Sequence, residues 1–245
     1  MLEPLDKKKT TLLLKEIPKY FPLIINLSHQ KGGVGKSTLA YNITDAFRIF
    51  GFKVKLIDID IQNTCTGLNS LREIPYTDIE QVSDEEKFIE LINNSSSDGS
   101  EIIIIDTGGF DSTLSRLAIL GSDINLTPVS DKVTEVLAVV QKYSKILNEL
   151  ETDTKILVSS FVLLNRIYPV ATHFEHIEEM IEDNSQMEIF QSIVRDRSIY
   201  DKSLIDGRSV FEASELKGHD MAMDEIFSIC YEVIEKHVNK ESNGN

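Results

Sequence analysis

The sequence predicts an α/β fold, in which helices flank a doubly wound, mostly parallel β-sheet. Short apolar runs recur along the chain, and two of them lead directly into an aspartate, which is typical of buried parallel strands. Segments with apolar residues at helical spacing lie between these runs. Residues 102–105 are four consecutive isoleucines. Because such a run cannot alternate between faces, it predicts a strand that is covered on both sides.

The composition fits one large domain with a substantial core. Of the 245 residues, 41% are hydrophobic and none is tryptophan, so we expect an aliphatic core. The formal net charge of −15 argues against a general polyanion-binding surface. The two cysteines, Cys65 and Cys230, form no CxxC pair, which argues against a disulfide framework and a metal cluster. The sequence shows neither a signal peptide nor a run of ~20 apolar residues, so we expect a cytoplasmic protein.

The predicted elements alternate along the chain. The first strand covers residues 23–27, and the helix after it covers residues 36–50 and ends at Gly51. Further strands are predicted at residues 54–57, 102–106, 124–129, 155–164 and 187–194, and further helices at residues 84–93, 114–120, 132–150, 170–181 and 223–234.

Two of these helices carry specific expectations about their inner faces. In the helix at 132–150 we expect Val133 and Leu137 to face the core, with Ser130-Asp131 as the N-terminal cap. In the following helix we expect Val170 to belong to the buried face.

A glycine-rich turn, KGGVGKST at residues 31–38, connects the first strand to the first helix. Its glycines let the backbone fold back with the N–H groups pointing inward, and the helix N-terminus adds positive potential, so the turn is an anion site. Lys36 supplies a charge for the β- and γ-phosphates, and Ser37 offers a hydroxyl to Mg²⁺. The turn therefore predicts a nucleotide phosphate loop formed by Gly32, Gly33, Val34, Gly35, Lys36, Ser37 and Thr38.

Carboxylates stand at the ends of two predicted strands. Asp58 and Asp60 are two positions apart, so on a strand they would point the same way. Asp106 ends the isoleucine strand. By themselves these residues fit acidic strand ends that cap the next loop, but beside a phosphate loop they favour a metal and water site.

The turn resembles the deviant Walker A motif of the ParA/MinD family of P-loop NTPases. Gln30 stands where the standard P-loop pattern has glycine, and Lys31 opens the loop instead. The resemblance implies that Lys31 crosses a dimer interface to the nucleotide of the partner subunit. It also implies ATP and Mg²⁺ as cofactors, with Lys31, Lys36 and Asp60 as the catalytic residues.

The acidic segment resembles the Asp-x-Asp-Pro-Gln segment of ParA proteins. The resemblance places Asp60 near the water that attacks the γ-phosphate, and it places Ser37, Asp58 and Asp106 at the magnesium ion. Ile61 stands where the family usually has proline, so the following loop is expected to differ in shape. Gly108-Gly109 replaces the proline-containing segment after the Walker B aspartate, and we expect it to be more mobile.

The second half of the chain extends the resemblance. Asn165 matches the residue that hydrogen-bonds adenine, a role that suits an amide because it both donates and accepts. The segment after the last strand resembles the region with which partition ATPases contact DNA. The residues implied in DNA binding are Arg195, Arg197, Lys202 and Arg208.

The sequence predicts an N-terminal arm at residues 1–22 and a polar tail at 241–245, and the resemblance implies a ParA-like ATPase domain at 23–240 between them. It implies an ATP-dependent homodimer that binds DNA nonspecifically, associates with the nucleoid and acts in plasmid or chromosome partition with a ParB-like, centromere-binding partner. The alternatives are a MinD-like membrane-associated positioning ATPase, a conjugation or mobilisation accessory ATPase, and a metabolic ligase of the same fold. Whether the arm is a solvated tail or contacts a partner or DNA stays open.

Overall fold

The computed structural model describes residues 21–95, 97 and 99–243. The predicted N-terminal arm lies outside the described residues, apart from Phe21 and Pro22.

The described chain forms a seven-stranded sheet in the order β3-β2-β4-β1-β5-β6-β7, and every pairing in it is parallel. This confirms the predicted doubly wound α/β fold. The strands are β1 (Leu23–Leu27), β2 (Val54–Asp58), β3 (Ile79–Gln81), β4 (Ile102–Asp106), β5 (Ile124–Val129), β6 (Ser160–Ile167) and β7 (Met187–Arg195).

Helices connect these strands and lie on both faces of the sheet. They are α1 (Lys36–Ile49), α2 (Thr64–Ser70), α3 (Glu85–Asn94), α4 (Thr113–Leu120), α5 (Val133–Ala138), α6 (Ser144–Thr154), α7 (Glu175–Glu182), α8 (Ser198–Ser203) and α9 (His219–Asn243). The sequence did not predict the short elements β3 and α2, because neither is long enough to show a hydrophobic period.

The centre of the sheet is buried on both faces. Ile103 and Ile105 pack into one hydrophobic cluster and Ile102 and Ile104 into another, and all four are 0% exposed. The isoleucine run is therefore the doubly covered strand that its sequence predicted.

α1 and α9 cover the same face of the sheet. Ile43 and Phe47 of α1 share one cluster with Ile226 and Cys230 of α9. Gly51 has a φ of +93°, a left-handed conformation that glycine adopts freely, and α1 ends just before it. α9 continues to Asn243, past the predicted end of the domain at residue 240.

The predicted helix at 132–150 is interrupted. α5 and α6 are joined by a π-helical turn, Val139–Tyr143, and a helix with such an insertion turns its side chains away from a simple 3.6-residue period. Val133 and Leu137 are 48% and 37% exposed, so the expectation that they face the core was wrong.

The predicted cap of this helix was also wrong. α5 begins at Val133 after Lys132, with no side-chain cap. Ser130 instead donates its hydroxyl hydrogen bond to Glu135, one turn into the helix.

The strand predicted at 155–164 begins later. Lys155 takes a left-handed conformation at the end of α6, and Ile156 and Leu157 are 51% and 86% exposed. β6 starts at Ser160 and continues to Ile167, so Asn165 lies inside the strand.

The helix predicted at 170–181 is shorter than expected. α7 begins at Glu175, and Val170 is 76% exposed, so its assignment to the buried face was wrong. Phe174, Ile177 and Ile181 are buried as expected.

We expect Ile104→Ala to lower the free energy of unfolding by about 3 kcal/mol, because it leaves a cavity in a site that is 0% exposed. Ile74→Ala is the matched control, since Ile74 is 80% exposed and its truncation should change stability by less than about 0.5 kcal/mol. Urea denaturation measures both values, and equal losses for the two variants would contradict the described core.

Candidate functional site

The glycine-rich turn leaves the carboxyl end of β1, the strand between β4 and β5. Strand order changes direction here, because β2 and β4 lie on one side of β1 and β5 on the other. In open parallel sheets the crevice at such a point, outside the carboxyl ends of the strands, is where ligands bind.

The turn has the backbone that an anion site requires. Gly33 and Gly35 have φ values of +79° and +93°, which other residues rarely adopt. Gly35 precedes α1 and no side chain caps the first N–H groups of this helix. These groups therefore remain available to a phosphate, and the positive end of the helix dipole lies behind them.

The loop after β4 packs directly on this turn. A Cβ atom at Gly109 would lie 2.7 Å from the backbone nitrogen of Gly32, so any side chain there would displace one of the two loops. The Gly108-Gly109 segment is thus explained by close approach. Its predicted mobility remains a prediction.

Lys36 is a buried cation at the base of the turn. It is 5% exposed, and its Nζ donates to the carbonyl oxygen of Lys31 at 3.3 Å. Burial lowers the pKa of Lys36, while the nearby carboxylates of Asp106 and Asp60 act in the opposite direction. An ammonium group held by a carbonyl in a desolvated position is well placed to meet an anion.

Lys31 lies at the rim, where its side chain is 55% exposed. Its Nζ forms a 2.7 Å ion pair with Glu135, which also accepts hydrogen bonds from the Ser130 hydroxyl and N–H. Burial would raise the pKa of Glu135, but the bonds from Lys31 and Ser130 outweigh it and lower the pKa to about 2. In this conformation Lys31 therefore contacts a carboxylate of its own chain.

Asp58 and Asp106 stand side by side at the ends of β2 and β4, and both are 0% exposed. Asp106 Oδ2 accepts a hydrogen bond from the Cys65 thiol at 3.3 Å, whereas Oδ1 is buried and lacks a partner among the described residues. Burial raises the pKa of Asp106 to about 7, against the hydrogen bond from Ser37.

These residues fit a magnesium ion. Mg²⁺ takes hard oxygen ligands, and the Asp106 oxygen without a partner and the adjacent Ser37 hydroxyl supply them. Asp58 is already engaged, because it accepts hydrogen bonds from the Thr66 N–H and hydroxyl and from the Asp60 N–H. Its geometry favours an indirect position at the metal.

Asp60 lies beyond the end of β2, so the expectation that Asp58 and Asp60 point the same way along a strand was wrong. Asp60 borders a cavity of about 630 Å³ that the phosphate loop also lines. Ile61, which replaces the family proline, is 75% exposed at the same cavity. Seven of the predicted catalytic and phosphate-binding residues thus border one space, but Lys31 and Val34 do not line it; the seven are Gly32, Gly33, Gly35, Lys36, Ser37, Thr38 and Asp60.

Asn165 faces the phosphate loop from β6. Its Nδ2 donates to the carbonyl oxygen of Val34 at 2.7 Å, and the residue is 4% exposed. It also lines a smaller cavity beside the loop, together with Val194, Tyr200 and Asp201. The predicted contact with adenine remains a prediction.

Three of the four predicted DNA-binding residues have partners within the chain. Arg195 donates to the carbonyl oxygens of Tyr168 and Ala171, and Arg197 pairs with Glu225 at 2.8 Å. Arg208 pairs with Asp206 and Glu215. Lys202 is exposed and forms no ion pair with the described residues.

Sequence reasoning missed four residues of the site. His29, Cys65, Glu135 and Arg166 belong to no motif that would indicate them. The Cys65 thiol lies between Asp106 and the Ser37 carbonyl. Glu135 is 104 positions from Lys31 in sequence, so no spacing rule could have joined them.

Comparison with known families decides the membership. Residues 25–210 match the model of the CbiA family, described as the CobQ/CobB/MinD/ParA nucleotide binding domain. The chain belongs to this family. The ParA/MinD-type ATPase fold and the resemblance drawn from the sequence are thereby confirmed.

Matches to individual proteins agree with the assignment to the CobQ/CobB/MinD/ParA family. Protein ParA of Rhizobium radiobacter is 26% identical over 182 residues, which cover 72% of this chain and 80% of the relative. The MinC:MinD complex of Aquifex aeolicus matches with a TM-score of 0.63 and 21% identity, over 84% of this chain and 95% of that one. A protein described as a Borrelia burgdorferi plasmid partition protein bound to AMPPNP matches with a TM-score of 0.59 and 18% identity. This match covers 90% of this chain and 99% of that one. These structural likenesses show the fold.

Within the described part of this domain, no helix has the length and apolar character needed to cross a bilayer.

His29 is a buried titratable residue next to the phosphate loop, and its protonation affects the stability of the fold. Its Nδ1 accepts a hydrogen bond from the Lys31 N–H at 2.8 Å, and its Nε2 is buried without a partner among the described residues. Burial, together with the charges of Lys36 and Lys31, lowers its pKa from 6.5 to about 4. Between pH 6.5 and about 4, His29 is therefore neutral in the folded protein but protonated in the unfolded chain.

We expect His29 to lower the free energy of unfolding of the wild type progressively as the pH falls from 6.5 to about 4, with no further contribution below that. His29→Gln keeps an acceptor but cannot titrate. Between pH 6.5 and 4 its free energy of unfolding should therefore lose about 3 kcal/mol less than that of the wild type. Denaturant unfolding across this range measures the difference. His173→Gln is the control, since His173 is 85% exposed, and parallel curves for wild type and His29→Gln would contradict the assignment.

Proposed function

We propose that this ParA/MinD-family ATPase forms an ATP-dependent sandwich dimer that binds DNA nonspecifically and acts in plasmid or chromosome partition with a ParB-like partner. The observation that carries the proposal is Lys31, an exposed lysine that opens the phosphate loop and directly precedes Gly32, which borders the cavity. A subunit that only held its own nucleotide could use the buried Lys36, so a second lysine at the rim supports a role across an interface.

The residues of the site have separate tasks in this proposal. Lys36 and the free N–H groups of α1 hold the β- and γ-phosphates, and Asn165 meets the adenine. Asp60 orients the attacking water. Ser37 and Asp106 would hold Mg²⁺, with Asp58 in an indirect position, and the bound ion would neutralise charge on the phosphates. Lys31 leaves Glu135 to contact the phosphates of the partner's nucleotide, where it stabilises charge that develops during hydrolysis.

Hydrolysis then ends the dimer. Once the γ-phosphate is gone, Lys31 loses the terminal anionic group that it binds across the interface and can return to Glu135 of its own chain. The nucleotide therefore acts as a timer for the DNA-bound state. Hydrolysis is slow until a partner protein completes the set of donors around the transition state.

The family name covers more than one use of the domain, because its description includes CobQ, CobB and MinD as well as ParA. The partition proposal rests on the match to protein ParA of Rhizobium radiobacter and on the segment after β7. The MinD-like alternative needs a basic amphipathic tail for membrane binding. Pelleting with anionic vesicles and ATP decides between the two.

Lys31→Ala tests the interface role. We expect the variant to remain a monomer with ATP and to lose about 100-fold in ATP turnover, because a charged donor to the transition state is missing. Binding of ADP should persist through Lys36 and the loop. Light scattering after size-exclusion chromatography, with ATP, ADP and no nucleotide, measures the assembly.

The control is Lys132→Ala, which removes another exposed lysine close to Glu135. A Lys31→Ala protein that still dimerises and hydrolyses ATP at the wild-type rate would reject the role across the interface.

Lys202 tests the DNA contact. We expect the ATP-bound wild type to bind a random-sequence duplex with an affinity that falls steeply with salt. Lys202→Ala should reduce the slope of log K against log[salt] by about 1, the change expected when one lysine–phosphate interaction is removed. Lys145→Ala, which removes an exposed lysine of α6, should leave the slope unchanged. Fluorescence anisotropy measures both, and binding that is equal with ATP and ADP would contradict the proposal.

A further inference from the structure

Asn165 and Arg166 are consecutive residues of β6, yet both side chains reach the phosphate loop. Nδ2 of Asn165 donates to the carbonyl oxygen of Val34 at 2.7 Å, and Nη1 of Arg166 donates to the carbonyl oxygen of Gly33 at 3.0 Å. Consecutive side chains of a regular strand point to opposite faces. The strand must therefore be irregular at this point.

The irregularity is a β-bulge at the end of β6. The register of β6 against β7 shifts between Leu164 and Ile167, and Arg166 has a φ of +59°. Bulges beside active sites redirect side chains in this way. Here the bulge turns Arg166 toward the same loop that Asn165 contacts.

This conformation is strained for arginine. In the left-handed region the Cβ atom approaches the following carbonyl oxygen, whereas glycine has no such conflict. The Arg166 side chain is exposed, so burial of apolar surface does not offset the strain. A strained, exposed residue at the rim of a ligand site points to a role with the ligand.

Arg166 also has a distinctive position between two cavities. It borders the phosphate cavity of about 630 Å³ and the smaller one beside Asn165, as do Gly35 and Thr38. If a nucleotide has its phosphates in the larger cavity and its base in the smaller one, its α-phosphate lies between the two, next to Arg166.

We propose that Arg166 binds the α-phosphate of the nucleotide in its own subunit, and that it gives up the Gly33 carbonyl to do so. The exchange replaces a bond to a neutral carbonyl with a charge-assisted, planar contact to a phosphate, which is the stronger of the two. The inference rests on the proposed nucleotide binding and adds a third cation to Lys31 and Lys36. Because the α-phosphate is common to ATP and ADP, Arg166 contributes equally to both.

The test compares ADP and ATP binding by calorimetry, with Mg²⁺, for the wild type and for Arg166→Ala, Arg166→Gly and Arg166→Lys. We expect the alanine and glycine variants to lose about tenfold in affinity for both nucleotides, by similar factors. The lysine variant should lose less, since it keeps the charge without the planar fork. Lys145→Ala, which removes an exposed charge away from both cavities, should bind like the wild type.

The glycine variant separates charge from strain. Arg166→Gly should melt about 2–4 °C above Arg166→Ala because it relieves the left-handed conformation, yet it should bind nucleotide as weakly. Three results would each overturn the proposal. They are a nucleotide affinity of Arg166→Gly equal to that of the wild type, a loss of affinity confined to ATP, and equal melting temperatures of the glycine and alanine variants. If the wild type itself bound neither nucleotide, the proposed function would fail and the assignment with it. If the wild type bound nucleotide and Arg166→Gly bound it equally well, only the assignment of Arg166 would be rejected, and the proposed function would stand.

Discussion

The first turn of α1 has N–H groups that no side chain caps, and the rest of the site depends on this arrangement. A helix beginning without a capping side chain leaves donors that need a partner, and here they face a cavity at the centre of the sheet. The turn can hold this shape because Gly33 and Gly35 adopt left-handed conformations. Neighbouring loops then approach so closely that Gly109 has no room for a side chain.

Charges around this turn are arranged in two layers. Lys36 and Asp106 are buried and fit a phosphate and a metal ion, respectively. Lys31, Glu135 and Arg166 lie farther out, and in the proposed function Lys31 and Arg166 exchange their contacts within the chain for contacts to a nucleotide. The inner layer therefore fits binding of a nucleotide, whereas the outer layer fits a response to what is bound.

Much of this could be predicted from the sequence because the deciding features are local. The glycine-rich turn, the isoleucine strand and the acidic strand ends are each encoded within a few residues. The errors have local causes too: the π-helical turn at Val139–Tyr143 altered the period of a helix, and the exposed Ile156 and Leu157 read as part of a strand. Cys65 could not be identified, because only packing brings it to the turn. His29 is next to the turn in sequence, but its burial, which lowers its pKa, depends on the folded structure.

The sequence by itself determined the parallel α/β fold and the phosphate loop, since strand burial, helix period and glycine placement act over short distances along the chain. Only the tertiary structure decided which side chains converge on that loop from elsewhere. Glu135 pairs with Lys31 across 104 positions, and Asn165 and Arg166 reach the loop across 131 and 133. Such contacts depend on strand order and on a bulge in β6, and both are set by how the whole sheet assembles.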